Sequence, residues 1–234
     1  EFIDTSGVRQ TADVKVVKVL EKRPFYKSYP GKDTTERIKS LLQDINVSSQ
    51  QGLAEMFDST IGRTTVFAPY GGKYQLTKTQ SSVHKIPVLH GKTNTVSVMS
   101  YGFNPYISEW SQYHGSQYAI IESMAKNVAA GGYYKNIRFT FQEYFERLNN
   151  DKEKWAKPFT ALLGAYKALK EFELAAIGGK DSMSGTYLEL NVPPTLVSFA
   201  VNTANVEHVI SNELKAAGHY LYLVNHVPDI IYQP

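Results

Sequence analysis

The chain has 234 residues, 42% of them hydrophobic and 20% charged, the balance of a folded globular chain rather than a disordered or fibrous one. It contains no cysteine, which removes disulfide frameworks, thiolate metal sites and cysteine nucleophiles together. Its net charge of +3 comes from 25 basic and 22 acidic residues with the signs interspersed, so no concentrated basic stripe points to nucleic acid.

No apolar run approaches the roughly 18 residues of a membrane span, and Glu1 to Gly7 lack the layout of a secretory leader, so a cytoplasmic location is expected. Residues 1–12 are polar and aperiodic. Val14, Val16, Val17, Val19 and Leu20 predict a strand stopped by Pro24, since proline cannot donate to a ladder. After the turn signal Pro30-Gly31, Asp33 or Thr34 predicts the cap of a helix to about Ile45, with Ile38, Leu41, Leu42 and Ile45 as its buried stripe. Thr64 to Phe67, Ile86 to Leu89 and Thr95 to Tyr101 read as strands. A helix follows, with Tyr118, Ile121, Ala125 and Val128, and Ile120 and Met124 beside them, at helical spacing and a stop at Gly131-Gly132.

Ile137 to Tyr144 predict another strand. Asp151 opens a helix whose apolar positions are Trp155, Phe159, Leu162, Tyr166, Leu169 and Phe172, with lysines on the other face. Strands at Ala175 to Ile177 and Thr195 to Val201 flank a glycine-rich loop, and a short helix near Ser211 to Ala217 precedes a strand at Tyr220 to Val224. Strands alternating with helices of this length imply an α+β fold, a mixed sheet layered with helices.

The string from Ala176 to Gly185 carries Gly178, Gly179, Lys180, Asp181, Ser182 and Ser184. Glycines let backbone N–H groups converge on a phosphate, a lysine adds charge, and an aspartate can hold an accompanying Mg²⁺. It is not a Walker A loop, because Leu174 stands where the first glycine belongs and Asp181 where Ser or Thr belongs. Spacing alone does not separate it from a strand-ending turn with a solvated Lys180. Gly71-Gly72-Lys73 reads as ordinary turn chemistry. Glu122 and Lys126 stand one helical turn apart, acid first, the favourable order for an ion pair. The histidines show no i,i+4 pairing, and no metal site is expected from them.

Five ordered strings carry a resemblance: Met56 to Gly62, Pro69 to Gln75, Phe139 to Leu148, the GGKDSMSG string, and Val192 to Phe199. Together with Val19 to Pro24 they resemble phosphoribosylformylglycinamidine synthase in its large single-chain form. The resemblance implies a glutamine- and ATP-dependent ligase of purine biosynthesis, built from two synthetase halves plus a cysteine-dependent glutaminase. Each half is made of α+β modules that resemble aminoimidazole ribonucleotide synthetase. By that resemblance the chain is an excerpt of the second half: a lead-in over residues 1–50, a first module over 51–192 and the opening of a second over 193–234.

The resemblance implies a nucleotide-binding set of Gly178, Gly179, Lys180, Asp181, Ser182, Ser184, Glu122 and Lys126, with Asp181 and Glu122 left from a metal set. Lys126 then stands where the family places an asparagine, and Tyr70 where it places an acid. The implied cofactor is ATP or ADP with Mg²⁺, and Lys126 is expected to substitute for a cation by pairing with Glu122 and Asp181. No catalytic residue and no turnover by this chain alone are expected. The implied partners are the remaining synthetase half and the glutaminase, and the isolated chain is expected to be a homodimer. Two other readings stay open, a stand-alone nucleotide-binding enzyme such as a small kinase and a ligand-free interaction domain.

Overall fold

The computed structural model describes residues 11–18, 28–56 and 63–224. Its frame is a five-stranded mixed sheet built from β3 (Ser81–Lys85), β4 (Thr95–Gly102), β9 (Thr195–Asn205), β5 (Arg138–Tyr144) and β6 (Ala175–Ser182), in that spatial order. The first three pairings are antiparallel, and β6 lies parallel to β5. Two small ribbons, β1 (Tyr70–Gly71) with β2 (Thr77–Lys78) and β7 (Thr186–Tyr187) with β8 (Leu190–Asn191), sit outside this sheet. The helices are α1 (Thr34–Leu42), α2 (Gln51–Ala54), α3 (Pro105–Trp110), α4 (Gln112–Ala129) and α5 (Lys152–Phe172). The α+β reading, a mixed sheet layered with helices, is what the structure has.

Helix α4 lies on β4 and β9, and α5 packs on α4. Alternation decides which side chains meet them. Val96 and Val98 of β4, Phe139 and Phe141 of β5, and Leu196 and Ala200 of β9 point into the core. On the opposite face Met99 and Tyr101 are exposed and Val197, Phe199 and Val201 are half-buried, so that side of the sheet is open.

The buried faces of the two long helices match the prediction only in part: Ile120 is buried, and Met124, Trp155 and Leu169 are half-buried against the core. In α4 the core-facing residues are Gly115, Ser116, Ala119, Ile120, Ser123 and Asn127, and Ile121 and Val128 are exposed. In α5 they are Ala156, Pro158, Ala161, Gly164, Ala165 and Ala168, and Phe159, Leu162 and Tyr166 are exposed. Close approach explains both. A Cβ on Gly164 would lie 2.1 Å from the Tyr113 carbonyl oxygen, and one on Gly102 would lie 2.1 Å from that of Ala119. Only small residues allow such contacts, and the serines return their hydroxyls to the backbone. Ser116 Oγ donates to Ala161 O at 2.7 Å, and Ser100 Oγ to Ser123 O at 2.6 Å. Ser123 Oγ and Ser198 Oγ are 2.9 Å apart. Asn127 Nδ2 reaches both Val98 O and Ala200 O at 3.1 Å, tying α4 to two strands at once. The apolar stripe count missed this seam because it gave weight only to large side chains.

Other expectations are also corrected. Residues 14–18 form no strand, and 19–27 lie outside the described residues. Helix α1 has the predicted cap, Asp33 accepting from Glu36 N, yet Ile38, Leu42 and Ile45 are exposed, and among the described residues no element packs extensively on that helix. Thr65 forms an isolated bridge to His84 outside any strand, and the strand predicted at 86–89 lies earlier, at Ser81–Lys85. Neither the short helix near Ser211 nor the strand at 220–224 forms. Tyr220 to Val224 are 78% to 92% exposed, and among the described residues no strand pairs with them. The segment 195–205 forms the middle strand of this sheet.

Candidate functional site

The glycine-rich string sits on the edge of the sheet. After α5, whose C-cap Glu173 takes a left-handed φ of 57°, the chain enters β6 and stays extended through Ser182. The predicted loop is therefore mostly strand. Pairing with β5 explains it: Thr140 to Tyr144 match Gly178 to Ser182 residue for residue, after a register shift that leaves Ile177 as a bulge. A Cβ on Gly179 would lie 2.7 Å from the Phe141 carbonyl oxygen. Glycine here serves close strand approach, and the outer edge of β6 keeps its unpaired N–H groups for another acceptor.

Among the implied nucleotide residues, Gly178, Gly179, Lys180, Asp181, Ser182 and Ser184 are thus contiguous, and all but Ser182 are exposed. The Lys180 ammonium stands 4.9 Å from the centre of the Tyr144 ring. Ser182 Oγ and Ser184 Oγ are 3.3 Å apart. Beyond them, Phe145 N donates to Ser182 O and Gly185 N donates to Phe145 O, closing the turn.

Glu122 and Lys126 occupy a different corner, where α4 crosses the end of β4. Glu122 Oε1 pairs with Lys126 Nζ at 2.7 Å, and its Oε2 accepts from Phe103 N at 3.0 Å. Lys126 Nζ also donates to Tyr101 O at 3.0 Å and lies 4.6 Å from the Tyr101 ring centre. Both oxygens of Glu122 are engaged. The matched row Gly102, Ser198, Phe141, Gly179 puts three strand spacings between this corner and the Asp181 string, roughly 14 Å. The expectation that Lys126 pairs with both acids therefore holds for Glu122 and not for Asp181.

This bears on the implied Mg²⁺. The ion prefers several hard oxygen ligands in octahedral array, and the α4 corner offers one carboxylate already neutralised by an ammonium. Glu122 does not fit as a metal ligand. No group of three or more His, Asp or Glu suited to a metal ion occurs among the described residues.

Sequence reading missed Glu143. It stands opposite Asp181 on β5 and opposite Leu196 on β9. It is 2% exposed, and neither carboxylate oxygen has a hydrogen-bond partner. Burial, reinforced by the neighbouring Asp181 carboxylate, pushes its pKa up to about 7. The signal was present in the alternation Phe139, Phe141, Glu143, which places an acid on the apolar phase of a core strand. Nearby Glu146 shows the contrast: it is equally deep, but Lys154 and Lys157 pair with it, and their hydrogen bonds outweigh burial and lower its pKa.

No family model matches the chain. Over 210 residues it is 20% identical to the phosphoribosylformylglycinamidine synthase subunit PurL of Petrotoga mobilis, covering 88% of this chain and 26% of that protein. Among solved structures it is similar to PurLQS from Thermotoga maritima, with a TM-score of 0.58 and 18% identity over 71% of this chain and 25% of that one. T. maritima PurL complexed with ATP gives a TM-score of 0.56 and 18% identity over 83% of this chain and 28% of that one. The chain spans about a quarter of the length of the proteins it matches. At these identities the likeness establishes a shared fold. Among the described residues no helix is long and apolar enough to cross a membrane.

Proposed function

We propose that the chain is a module of phosphoribosylformylglycinamidine synthase, the glutamine- and ATP-dependent ligase that converts formylglycinamide ribonucleotide to the amidine, and that its nucleotide site is degenerate. The observation that carries the degenerate reading is the Lys126 ammonium seated on Glu122 at 2.7 Å, an ion pair on the helix that the resemblance assigns to metal binding. The PurL fold over 83% of the chain and the retained GGKDSMSG string support the family.

The role is chiefly architectural. The module comprises β1 through β9, and a second module begins beyond β9. Tyr220 to Val224, apolar and exposed, pair with strands of that second module. The open face bearing Met99, Tyr101 and Phe199 meets the equivalent module of the other synthetase half, and in the isolated chain a second copy. Glutaminase and the remaining half of the large single-chain enzyme are the partners, in the cytoplasm, and the chain alone performs no ligation.

Titration calorimetry with ADP and Mg²⁺ tests the degenerate site. The expected result is no binding at micromolar concentration. Micromolar, Mg²⁺-dependent binding abolished by Asp181→Ala overturns it.

A further inference from the structure

The β1–β2 ribbon is the least self-sufficient element of the fold. Two residues pair with two, well below what a hairpin needs to stand alone in water. Its turn is closed by Gln75 N donating to Gly72 O at 3.1 Å, with Gly72 at a φ of 79°. At its base Thr79 N donates to Pro69 O and Thr79 Oγ1 to Ala68 O, both at 2.9 Å. Tyr74 and Leu76, toward the tip, are exposed. So small a ribbon takes its order from a neighbour.

The neighbour is the chain that leaves β9. Val206 N donates to Asn94 O at 2.8 Å and Ile210 N to Ala130 O at 3.2 Å, and Val206 and Val209 pack on the cluster of Val83, Val96 and Val98. A Cβ on Gly131 would lie 2.2 Å from His208 O, so this segment is pressed onto the end of α4. Asn212 Nδ2 then donates to Lys78 O at 2.6 Å, and Lys78 is the residue opposite Tyr70 in the ribbon. Glu213 covers the turn: a Cβ on Gly72 would lie 3.5 Å from that of Glu213. Its carboxylate accepts from Ser211 Oγ at 2.8 Å and pairs with Lys215. Beyond it Leu214 and Tyr220 to Val224 are exposed.

The same segment is tied to the α4 corner. Ala130, which accepts from Ile210, itself donates to Lys126 O at 3.2 Å. Ser81 Oγ, at the start of β3 directly after the ribbon, donates to that same carbonyl at 2.9 Å. Ribbon, strand and helix end are therefore held by one continuous set of hydrogen bonds.

We propose that residues 206–213 are a strap through which the second module sets the position of the β1–β2 ribbon. Seated, the strap holds Tyr70 and Gly72 on the first module through Asn212 and Glu213; displaced by movement of the chain beyond Glu213, it releases them. The proposal rests on the reading that a second module begins beyond β9. The element with two arrangements is the ribbon, a region of low local stability, and its contacts with the strap exist in only one of them, which is what lets the strap bias it.

The test follows amide hydrogen exchange at Gln75 and Thr79 and trypsin cleavage after Lys73, first in the chain alone and then in the chain joined to the remaining synthetase portions. In the chain alone, the double variant Asn212→Ala, Glu213→Ala should exchange and be cut roughly tenfold faster at the ribbon, while the amides of β4 and β9 stay within about twofold. Glu213→Gln, which keeps the packing over Gly72, should stay close to the parent. In the joined form, exchange at Thr79 should differ at least threefold from the chain alone, and the double variant should abolish that difference. A ribbon unchanged by the double variant in the chain alone overturns the strap whatever follows β9. A ribbon that is loosened there but is the same in the joined and isolated chains, or a difference that survives the double variant, overturns the coupling to the second module.

Discussion

Replacing Asn127 with alanine tests how α4 is held. Its amide donates to Val98 O and Ala200 O, and its Oδ1 accepts from Asn202 Nδ2 at 3.3 Å, all in the buried seam between helix and sheet. Each hydrogen bond contributes about 1 kcal/mol net, and removing one partner adds the cost of groups left unsatisfied. With two well-formed bonds lost and a third weakened, Asn127→Ala should destabilise the chain by about 3 kcal/mol. For a domain of this size that lowers the melting temperature by roughly 6 to 12 °C. Urea unfolding followed by circular dichroism reads the loss, with Val128→Ala as the control, since Val128 is 45% exposed and should change stability by under about 0.5 kcal/mol. A loss below about 1 kcal/mol in Asn127→Ala would refute the idea that this amide, rather than an apolar stripe, fixes α4 on β4 and β9. Because Glu122 and Lys126 ride on the same helix, a loosened α4 should also weaken their hold on Phe103 N and Tyr101 O.

Glu143 binds its proton more tightly folded than unfolded, so its contribution to stability is complete below its ordinary carboxyl range and is lost as pH rises through about 7. In metal-free buffer stability should fall between pH 5 and pH 8 by up to about 3 kcal/mol, and Glu143→Gln should flatten that slope. An unchanged slope in the variant would assign it to other groups. Light scattering should show a dimer at high micromolar concentration, and Phe199→Glu, on the open sheet face, should return it to a monomer. A chain that is monomeric at that concentration contradicts the pairing role of this face.

Where one physical cause dominated, the sequence was readable. Asp33 and Asp151 were legible as helix caps because short acids satisfy orphan N–H groups, and Gly131, with φ of 105°, as the stop after α4. The alternation of Val96 and Val98 with Ser97 located β4. The α4 and α5 faces were partly misread because close packing selected Ala, Gly and Ser over larger residues, a choice dictated by a neighbour that local periodicity does not contain. At the candidate site the contiguous string from Gly178 to Ser184 and the Glu122–Lys126 pair were legible as local patterns. Their separation by three strands depends on sheet order, and the Glu143–Asp181 match on a register shift between β5 and β6; neither is encoded in spacing along the chain.

The proposed module supports ligation without performing it. The most direct measurement is amidine formation from formylglycinamide ribonucleotide, ATP and ammonia, assayed with the chain alone and with the chain joined to the remaining synthetase portions. Product is expected only in the joined form. Turnover by the chain alone, or none in the joined form, contradicts it.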